Sequence, residues 1–189
     1  MDNKIFSASN WKKLVSEERE QRQNREFFFK IADPGKYEIW ADIGCGPGFF
    51  TLPLAQKVTK VFAIDISNEM LGICKRRAEE QQLENIEYIK SEGVVISLED
   101  DSVDDVLLVN VFHELQERSK VVKELNRILK LNGHAFIIDW KYEKMDFGPP
   151  LEHRVTIQEV TRDLATNGFT FVQSWDIYEI DYVLEFKKM

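Results

Sequence analysis

The sequence has little cysteine, no long apolar run and no surplus of positive charge. Cys45 and Cys74 are the only cysteines, and their spacing is not typical of metal ligands, so no metal is expected and a reducing, cytoplasmic setting is favoured. No apolar run approaches the roughly 18 residues of a membrane span, and the polar amino terminus does not resemble a secretory signal. The net charge of −8 argues against nucleic acid as a partner bound by charge.

The length and the hydrophobic content are typical of one domain with a substantial core, since 43% of the 189 residues are hydrophobic. We expect this domain to extend over residues 1–189. Apolar residues recur among charged ones over residues 10–30, which predicts one amphipathic helix. The amino-terminal segment, residues 1–34, is expected either to pack on the edge of the domain or to form a lid over a ligand site.

A short apolar strand that runs into three closely spaced glycines is the most informative stretch. The strand is predicted over Tyr37–Ile43, the glycines are Gly44, Gly46 and Gly48, and a helix is predicted over Phe49–Lys57. A strand that turns on glycines and restarts as a helix is typical of the first unit of a nucleotide- or nucleoside-binding sheet, because glycine lets the backbone approach a ligand. A glycine-rich turn without a ligand is the alternative interpretation.

Two aspartates narrow the class of ligand. Asp42 ends the first strand just before the glycines, where a carboxylate repels pyrophosphate and attracts positive charge. Phe49 occupies the place of the third small residue of an NAD-binding pattern. A second strand, predicted over Lys60–Ile66, ends in Asp65, where an acid can accept hydrogen bonds from ribose hydroxyls. The indicated ligand has an adenosine-like ribose, no phosphate and a positive charge, which are properties of S-adenosylmethionine.

The pattern Asp42-x-Gly44-x-Gly46-Pro47-Gly48, together with Asp65, resembles the class I S-adenosylmethionine-dependent methyltransferases. The resemblance extends over roughly residues 35–175 and is closest to the small methyltransferase domains similar to the ubiquinone- and menaquinone-biosynthesis C-methyltransferases. It implies an α/β fold with a doubly wound, mostly parallel seven-stranded sheet and an antiparallel carboxyl-terminal strand. It also implies S-adenosylmethionine as the cofactor and methyl transfer to an unidentified small-molecule acceptor.

The remaining elements predict the same architecture, because strands alternate with helices and a hairpin closes the chain. A third strand is predicted over Ile86–Glu92, a fourth over Val106–Phe112, a fifth over His134–Trp140 and the hairpin over Phe169–Glu179 and Asp181–Lys187. Helices are predicted over Asn68–Gln82 with Ser67 as its cap, over Ser119–Leu131 ended by Asn132-Gly133, and from a capping box at Thr156 to Ala165. The acidic run Glu99–Asp105 is predicted to be a solvated turn.

Cofactor-binding residues are implied at the glycine turn and at the carboxyl ends of the strands. They are Asp42, Gly44, Cys45, Gly46, Gly48, Asp65, Ile66, Glu92, Gly93 and Asn110. In the resembling family, an acid and a small residue at the positions of Glu92 and Gly93 contact the adenine, although aspartate is commoner there than glutamate. The resemblance places the backbone around Asn110 near the methionine portion of the cofactor.

Catalysis and acceptor binding are expected after the fourth and fifth strands. His113 is a candidate general base, with a purely structural role as the alternative. Trp140, Tyr142, His153 and Arg154 combine aromatic faces with positive charge, which suits a planar or anionic small molecule. A monomer and a homodimer are both compatible with the sequence. A nicotinamide-dependent oxidoreductase, which Asp42 and Phe49 disfavour, and a non-catalytic nucleoside-binding sensor are the alternatives.

Overall fold

The computed structural model of the protein describes residues 8–189, so the first seven residues of the predicted amino-terminal segment lie outside the described part. Seven strands in this part form one sheet in the order β3-β2-β1-β4-β5-β7-β6. They are β1 (Ile39–Ile43), β2 (Lys60–Asp65), β3 (Ile86–Lys90), β4 (Val103–Val109), β5 (Leu129–Trp140), β6 (Phe169–Trp175) and β7 (Asp181–Lys188). Only β7 runs against its neighbours. The predicted doubly wound, mostly parallel sheet with an antiparallel carboxyl-terminal strand is confirmed.

Helices cover both faces of the sheet. They are α1 (Glu17–Arg22), α2 (Arg25–Ala32), α3 (Thr51–Ala55), α4 (Asn68–Glu80), α5 (Arg118–Ile128) and α6 (Ile157–Ala165). On one face, α5 and α6 pack on alternate strand residues such as Val106 and Ile137. On the other, α2 and α3 pack on the intervening residues, such as Leu107 and Phe136. Each helix within residues 8–189 is too short or too polar to span a membrane.

The prediction of one helix over residues 10–30 is wrong. The segment consists of a 3-10 helix (Ala8–Val15), α1 and α2. Ser16 begins α1, because its Oγ accepts a hydrogen bond from the backbone of Arg19 at 3.2 Å. Asn24 begins α2 in the same way, with its Oδ1 2.9 Å from the backbone nitrogen of Glu26. The two caps redirect the chain, and the intervening Gln23 is completely buried.

The predicted helix over Ser119–Leu131 ends earlier than expected. Helix α5 passes directly into β5 at Leu129, which is fully buried and pairs with Val103. The Asn132-Gly133 pair lies inside β5 as an irregularity, with Asn132 at φ +68°. A Cβ added to Gly133 would lie 2.3 Å from the carbonyl oxygen of Asp104, so close packing between strands requires this glycine. Burial of Leu129 in the sheet explains why the predicted helix cap is wrong.

The acidic run is only partly the solvated turn that was predicted, because β4 begins at Val103. Asp104 Oδ2 accepts a hydrogen bond from the backbone of Ile39 at 2.7 Å, and Asp105 Oδ1 accepts one from the backbone of His134 at 2.6 Å. These bonds tie the two acids to the amino edge of the sheet, which is the edge at which the parallel strands begin; the carboxyl edge is the one at which they end. Strand β4 correspondingly ends at Val109, three residues before the predicted end.

The other predicted elements are confirmed, with ends that differ by a few residues. Ser67 caps α4, since its Oγ accepts from the backbone of Met70 at 3.2 Å. Thr156 and Glu159 form the predicted capping box at the start of α6. The hairpin of β6 and β7 is also present, although β6 ends at Trp175. Local signals therefore placed these elements correctly.

Candidate functional site

The glycine turn, defined by Gly44, Gly46 and Gly48, follows the carboxyl end of β1. Its glycines have φ values of 72°, 53° and 84°. A Cβ added to Gly44 would lie 2.3 Å from Cγ2 of Val111, so both the backbone angle and the packing require glycine there. Beside Gly46 the nearest atom to such a Cβ would be Leu14 Cδ1, at 3.9 Å. The turn therefore has room for a ligand to approach the backbone at Gly46.

Asp65 ends β2 and holds the glycine turn from the side. Its Oδ2 accepts a hydrogen bond from the backbone nitrogen of Gly46 at 2.8 Å, and its Oδ1 accepts one from Ser67 at 2.8 Å. Burial raises the pKa of Asp65, and the two backbone hydrogen bonds oppose that rise. A carboxylate oxygen can accept more than one hydrogen bond, so contact with ribose hydroxyls stays a prediction that this geometry allows.

Asp42 is a buried carboxyl at the end of β1, only 3% exposed. Thr51 Oγ1, at the start of α3, donates a hydrogen bond to Asp42 Oδ2 at 2.6 Å. Burial raises the pKa of Asp42 to about 6, against the opposing effect of the Thr51 hydrogen bond. A nearby positive charge favours the ionised form, so the carboxyl suits a cationic ligand group. Thr51 was not predicted; its place at the start of the helix after the glycines was the available signal.

Asn110 joins three parts of the chain beyond the end of β4. Its backbone has φ +55°. Its Nδ2 donates to Asp181 Oδ1 at 3.0 Å, and its Oδ1 accepts from Gln23 Nε2 at 3.1 Å. Asp181, the first residue of β7, is fully buried, and its Oδ2 has no hydrogen-bond partner within residues 8–189. This series of hydrogen bonds, from Gln23 through Asn110 to Asp181, therefore ends at an oxygen atom, Asp181 Oδ2, that has no donor within residues 8–189.

His113 and Asp139 form a buried pair where β4 and β5 end. His113 Nδ1 lies 2.7 Å from Asp139 Oδ1, and the backbone nitrogen of His113 donates to Asp139 Oδ2 at 3.0 Å. The backbone nitrogen of Trp140 also donates to Asp139 Oδ1, at 2.8 Å. A carboxylate that holds one imidazole nitrogen fixes the ring and its other nitrogen, as a general base requires. Catalysis by His113 stays a prediction.

Three predicted cofactor-binding residues follow the neighbouring strands β2 and β3, and two of them, Glu92 and Gly93, are the predicted adenine contacts. Ile66 is 46% exposed, and Glu92 and Gly93 are exposed. Gly93 has φ +85°, and a Cβ added there would meet no atom within 4 Å. By contrast, the side chain of Cys45 is buried in an apolar cluster with Cys74. A ligand at the glycine turn could therefore contact the backbone of Cys45 but not its side chain.

The predicted acceptor residues lie at the end of β5 and on the loop that follows it, where Arg154 lies over the ring of Trp140. Arg154 is buried, and its guanidinium donates to four backbone carbonyls, those of Lys141, Glu143, Phe147 and Pro149, at 2.7–3.1 Å. These bonds order the loop. Trp140 is largely buried beneath it, Tyr142 is 50% exposed, and His153 is half-buried. Acceptor binding by these four residues stays a prediction.

Three arginines of the amino-terminal segment were not predicted as site residues. Arg19 and Arg25 lie over the ring of Phe49, with their Cζ atoms 4.4 and 4.6 Å from its centroid. Arg22 lies 4.7 Å from the ring centroid of Trp140. The sequence carried no signal for this grouping, because Arg19 and Arg22 lie in α1 whereas Arg25 lies in α2, beyond the break at Gln23 and Asn24. The segment covers the glycine turn and the edge beside β5; its movement as a lid stays a prediction.

Two cavities lie away from the glycine turn. One of about 400 Å³ lies at the amino edge of the sheet and is lined in part by Glu38, Asp105, His134 and Glu185. Another of about 530 Å³ lies beside the start of α5. No group of three or more His, Cys, Asp or Glu residues within residues 8–189 is placed to hold a metal ion.

The fold and the site together define a nucleoside-binding α/β protein. A backbone open to close approach at Gly46, a buried carboxyl at Asp42 for positive charge and an acceptor at Asp65 for hydroxyls fit S-adenosylmethionine. Residues 41–137, just over half of the chain, match the family described as Methyltransferase domain. The chain therefore belongs to this family. The resemblance to the class I S-adenosylmethionine-dependent methyltransferases is confirmed.

Several known methyltransferases are similar to this chain, each over a different fraction of its length. A crystal structure described as a SAM dependent methyltransferase from Aquifex aeolicus is 31% identical, has a TM-score of 0.92 and covers 98% of this chain and 100% of its own. Demethylmenaquinone methyltransferase from Lactococcus lactis is 31% identical over 52% of this chain and 40% of its own length. A probable cobalt-precorrin-6B C(15)-methyltransferase (decarboxylating) from Methanothermobacter thermautotrophicus is 28% identical over 61% and 62%. The chain thus spans only about half the length of these curated relatives.

Proposed function

We propose that this methyltransferase takes its methyl group from S-adenosylmethionine and transfers it by in-line displacement to a small organic acceptor. The observation that carries the proposal is the open glycine turn between two carboxyls, the buried Asp42 and the turn-holding Asp65. This arrangement provides separate partners for positive charge and for ribose hydroxyls, and no partner for pyrophosphate. The nicotinamide-dependent alternative is not favoured, because the family match is to methyltransferases.

The protein's part in the reaction is mainly alignment. S-adenosylmethionine supplies a methyl group that its sulfonium charge already activates. Asp65 and Gly46 would hold the nucleoside, and Glu92 and Gly93 would lie beside its base. Because the donor is activated, most of the rate enhancement can come from placing the acceptor atom in line with the methyl group. His113, oriented by Asp139, would remove a proton where the acceptor is a hydroxyl or an acidic carbon.

The acceptor is expected between the end of β5 and the loop that follows it. Trp140 is largely buried there, with Arg22 and Arg154 over its ring. The groups accessible to an acceptor are Tyr142 and His153 on the loop. The similar quinone- and precorrin-directed enzymes support a small molecule as the acceptor. Arg154 would act mainly by holding the loop, since four carbonyls already occupy its guanidinium.

Two measurements test this proposal. Calorimetric titration of the wild-type protein should show binding of S-adenosylhomocysteine and no binding of NADH. Incubation with methyl-labelled S-adenosylmethionine and a fractionated metabolite extract should then move label into a low-molecular-weight product. Binding of NADH in preference to S-adenosylhomocysteine would contradict the cofactor assignment. Nucleoside binding with no labelled product from any fraction would favour the non-catalytic sensor.

A further inference from the structure

Arg19, in α1, is enclosed between the amino-terminal segment, the glycine turn and the end of β4. Its Nη1 donates to the carbonyl oxygen of Leu14 at 2.9 Å. Its Nε and Nη2 both donate to Gln23 Oε1 at 3.1 Å, and Nη2 also reaches Asn110 Oδ1 at 3.4 Å. One face of the guanidinium lies over the ring of Phe49. The cation is therefore held at the site from several sides.

The partners of Arg19 are all uncharged, unlike those of the neighbouring Arg25. Within residues 8–189, Arg19 forms no ion pair, whereas Arg25 pairs with Glu20 at 2.6 Å. Burial lowers the pKa of Arg19 to about 10, and the charges of Asp42 and Asp181 act on it only from a distance. Arg19 is half-buried, and a partly desolvated cation without a paired anion is unfavourable. An anion that pairs with it would therefore be bound favourably.

The amide oxygens that Arg19 contacts are weaker acceptors than a carboxylate. A carboxylate accepts two parallel hydrogen bonds from guanidinium, and such charge-assisted bonds are roughly twice as strong as neutral ones. The 3.4 Å contact with Asn110 is the longest of the set and the easiest to replace. An incoming carboxylate could thus displace Asn110 while the bond to Leu14 keeps the arginine in position.

We propose that Arg19 binds the α-carboxylate of the cofactor's methionine portion and so selects nucleosides that carry an intact amino-acid group. The proposal rests on the proposed function, because it takes S-adenosylmethionine as the ligand. The two charges of the amino-acid group then have separate partners: Asp42 faces the ammonium, and Arg19 binds the carboxylate. The amino-terminal segment thereby becomes part of the cofactor site.

The test compares two variants with two ligands. S-adenosylhomocysteine carries the amino-acid group, and 5′-methylthioadenosine lacks it. Calorimetry should show at least a tenfold loss of affinity for S-adenosylhomocysteine in Arg19→Met and less than a twofold change for 5′-methylthioadenosine. Arg25→Met is the matched control, since it loses the same kind of contact with Phe49 and should not discriminate between the ligands. Removal of a cation from the site would reduce repulsion of the ligand's ammonium group. A loss of affinity that is confined to S-adenosylhomocysteine can therefore be assigned to its carboxylate.

Several results would overturn the proposal. An equal loss for both ligands would mean that Arg19 only supports the structure, and no loss for either would mean that it does not contact the ligand. Thermal unfolding of each variant checks the fold. If Arg19→Met does not fold, Arg19→Lys keeps the charge without the guanidinium fork and should still lose affinity for S-adenosylhomocysteine alone. Wild-type protein that binds neither ligand would instead overturn the proposed function.

Discussion

The two edges of the sheet carry closely similar pairs of a histidine and a carboxylate. At the amino edge, His134 Nδ1 lies 2.6 Å from Glu185 Oε1. At the carboxyl edge, His113 Nδ1 lies 2.7 Å from Asp139 Oδ1. A cavity accompanies the pair at the amino edge. Neither the pair nor the cavity therefore distinguishes a functional site from a structural one in this fold.

The edges differ in how completely their polar groups are satisfied. At the amino edge, Glu185 also accepts a hydrogen bond from Trp175 Nε1 at 3.0 Å, and both oxygens of Asp104 are bonded. At the carboxyl edge, Asp181 Oδ2 and Arg22 Nε have no hydrogen-bond partner within the described chain. Buried polar groups are nearly always bonded, so the carboxyl edge is the one at which polar atoms still lack partners.

The largest expected difference between the edges is in catalysis. His113→Ala should slow methyl transfer about 100-fold or more without weakening cofactor binding, because a general base contributes on that scale. His134→Ala at the opposite edge should leave the transfer rate within about twofold of wild type, although it breaks the pair with Glu185. The rate with an identified acceptor and the calorimetric affinity for S-adenosylhomocysteine measure the two effects. A parallel fall of rate and affinity in His113→Ala would assign it a structural role.

The second-largest expected difference between the edges is in their contribution to cofactor affinity. Asp65→Ala removes the acceptor for ribose hydroxyls and releases the backbone of Gly46, so the Kd for S-adenosylhomocysteine should rise at least about tenfold, or about 1.4 kcal/mol. Asp105→Asn at the amino edge should leave this Kd unchanged. Calorimetric titration of both variants decides between them. An unaltered Kd in Asp65→Ala would remove the ribose assignment.

Acidification should weaken cofactor binding through Asp42. The pKa of Asp42 is raised to about 6, so its carboxyl becomes neutral below that pH and no longer attracts the ligand's ammonium group. Between pH 7.5 and pH 5 we expect the affinity for S-adenosylhomocysteine to fall about fivefold. Asp42→Asn, which retains an acceptor for Thr51, should show a flatter profile. Equally steep profiles in the two proteins would exclude Asp42 as the titrating group.

The smallest expected effect is on stability at the amino edge. The folded-state pKa of Asp105 is raised to about 6, mainly by burial, so stability linked to its protonated form is present below its ordinary pKa and is lost as the pH rises through 6. Asp105→Asn should therefore stabilise the protein by about 1 kcal/mol at pH 8 and have little effect at pH 4. Asp104→Asn should destabilise it, because it loses the ion pair with Lys130. Urea unfolding at both pH values measures the free energy of unfolding of the two variants. A less stable Asp105→Asn than Asp104→Asn at pH 8 would contradict the prediction.

The sequence predicted those features that depend on neighbouring residues. The glycine turn, Asp42 and Asp65 were identified because a strand, a turn and a helix each leave local signals. Gln23 could not be identified in this way, since its burial depends on Asn110, 87 residues away. Asp181 likewise resembles an ordinary turn residue until β7 is placed beside β5.

Errors at the element boundaries have the same physical origin. Asn132-Gly133 matches a helix cap locally, but pairing of Leu129 with Val103 draws the chain into the sheet first. Asp104 appears solvated in an acidic run, although the backbone of Ile39, 65 residues earlier, is its partner. Tertiary contacts thus override local propensity at these positions.

A crystal structure of the protein with S-adenosylhomocysteine would test the comparison between the edges most directly. Our prediction is that the nucleoside lies at the carboxyl edge, with its ribose hydroxyls on Asp65, its ammonium group near Asp42 and its carboxylate on Arg19. A nucleoside bound in the amino-edge cavity beside His134 and Asp105 would contradict it.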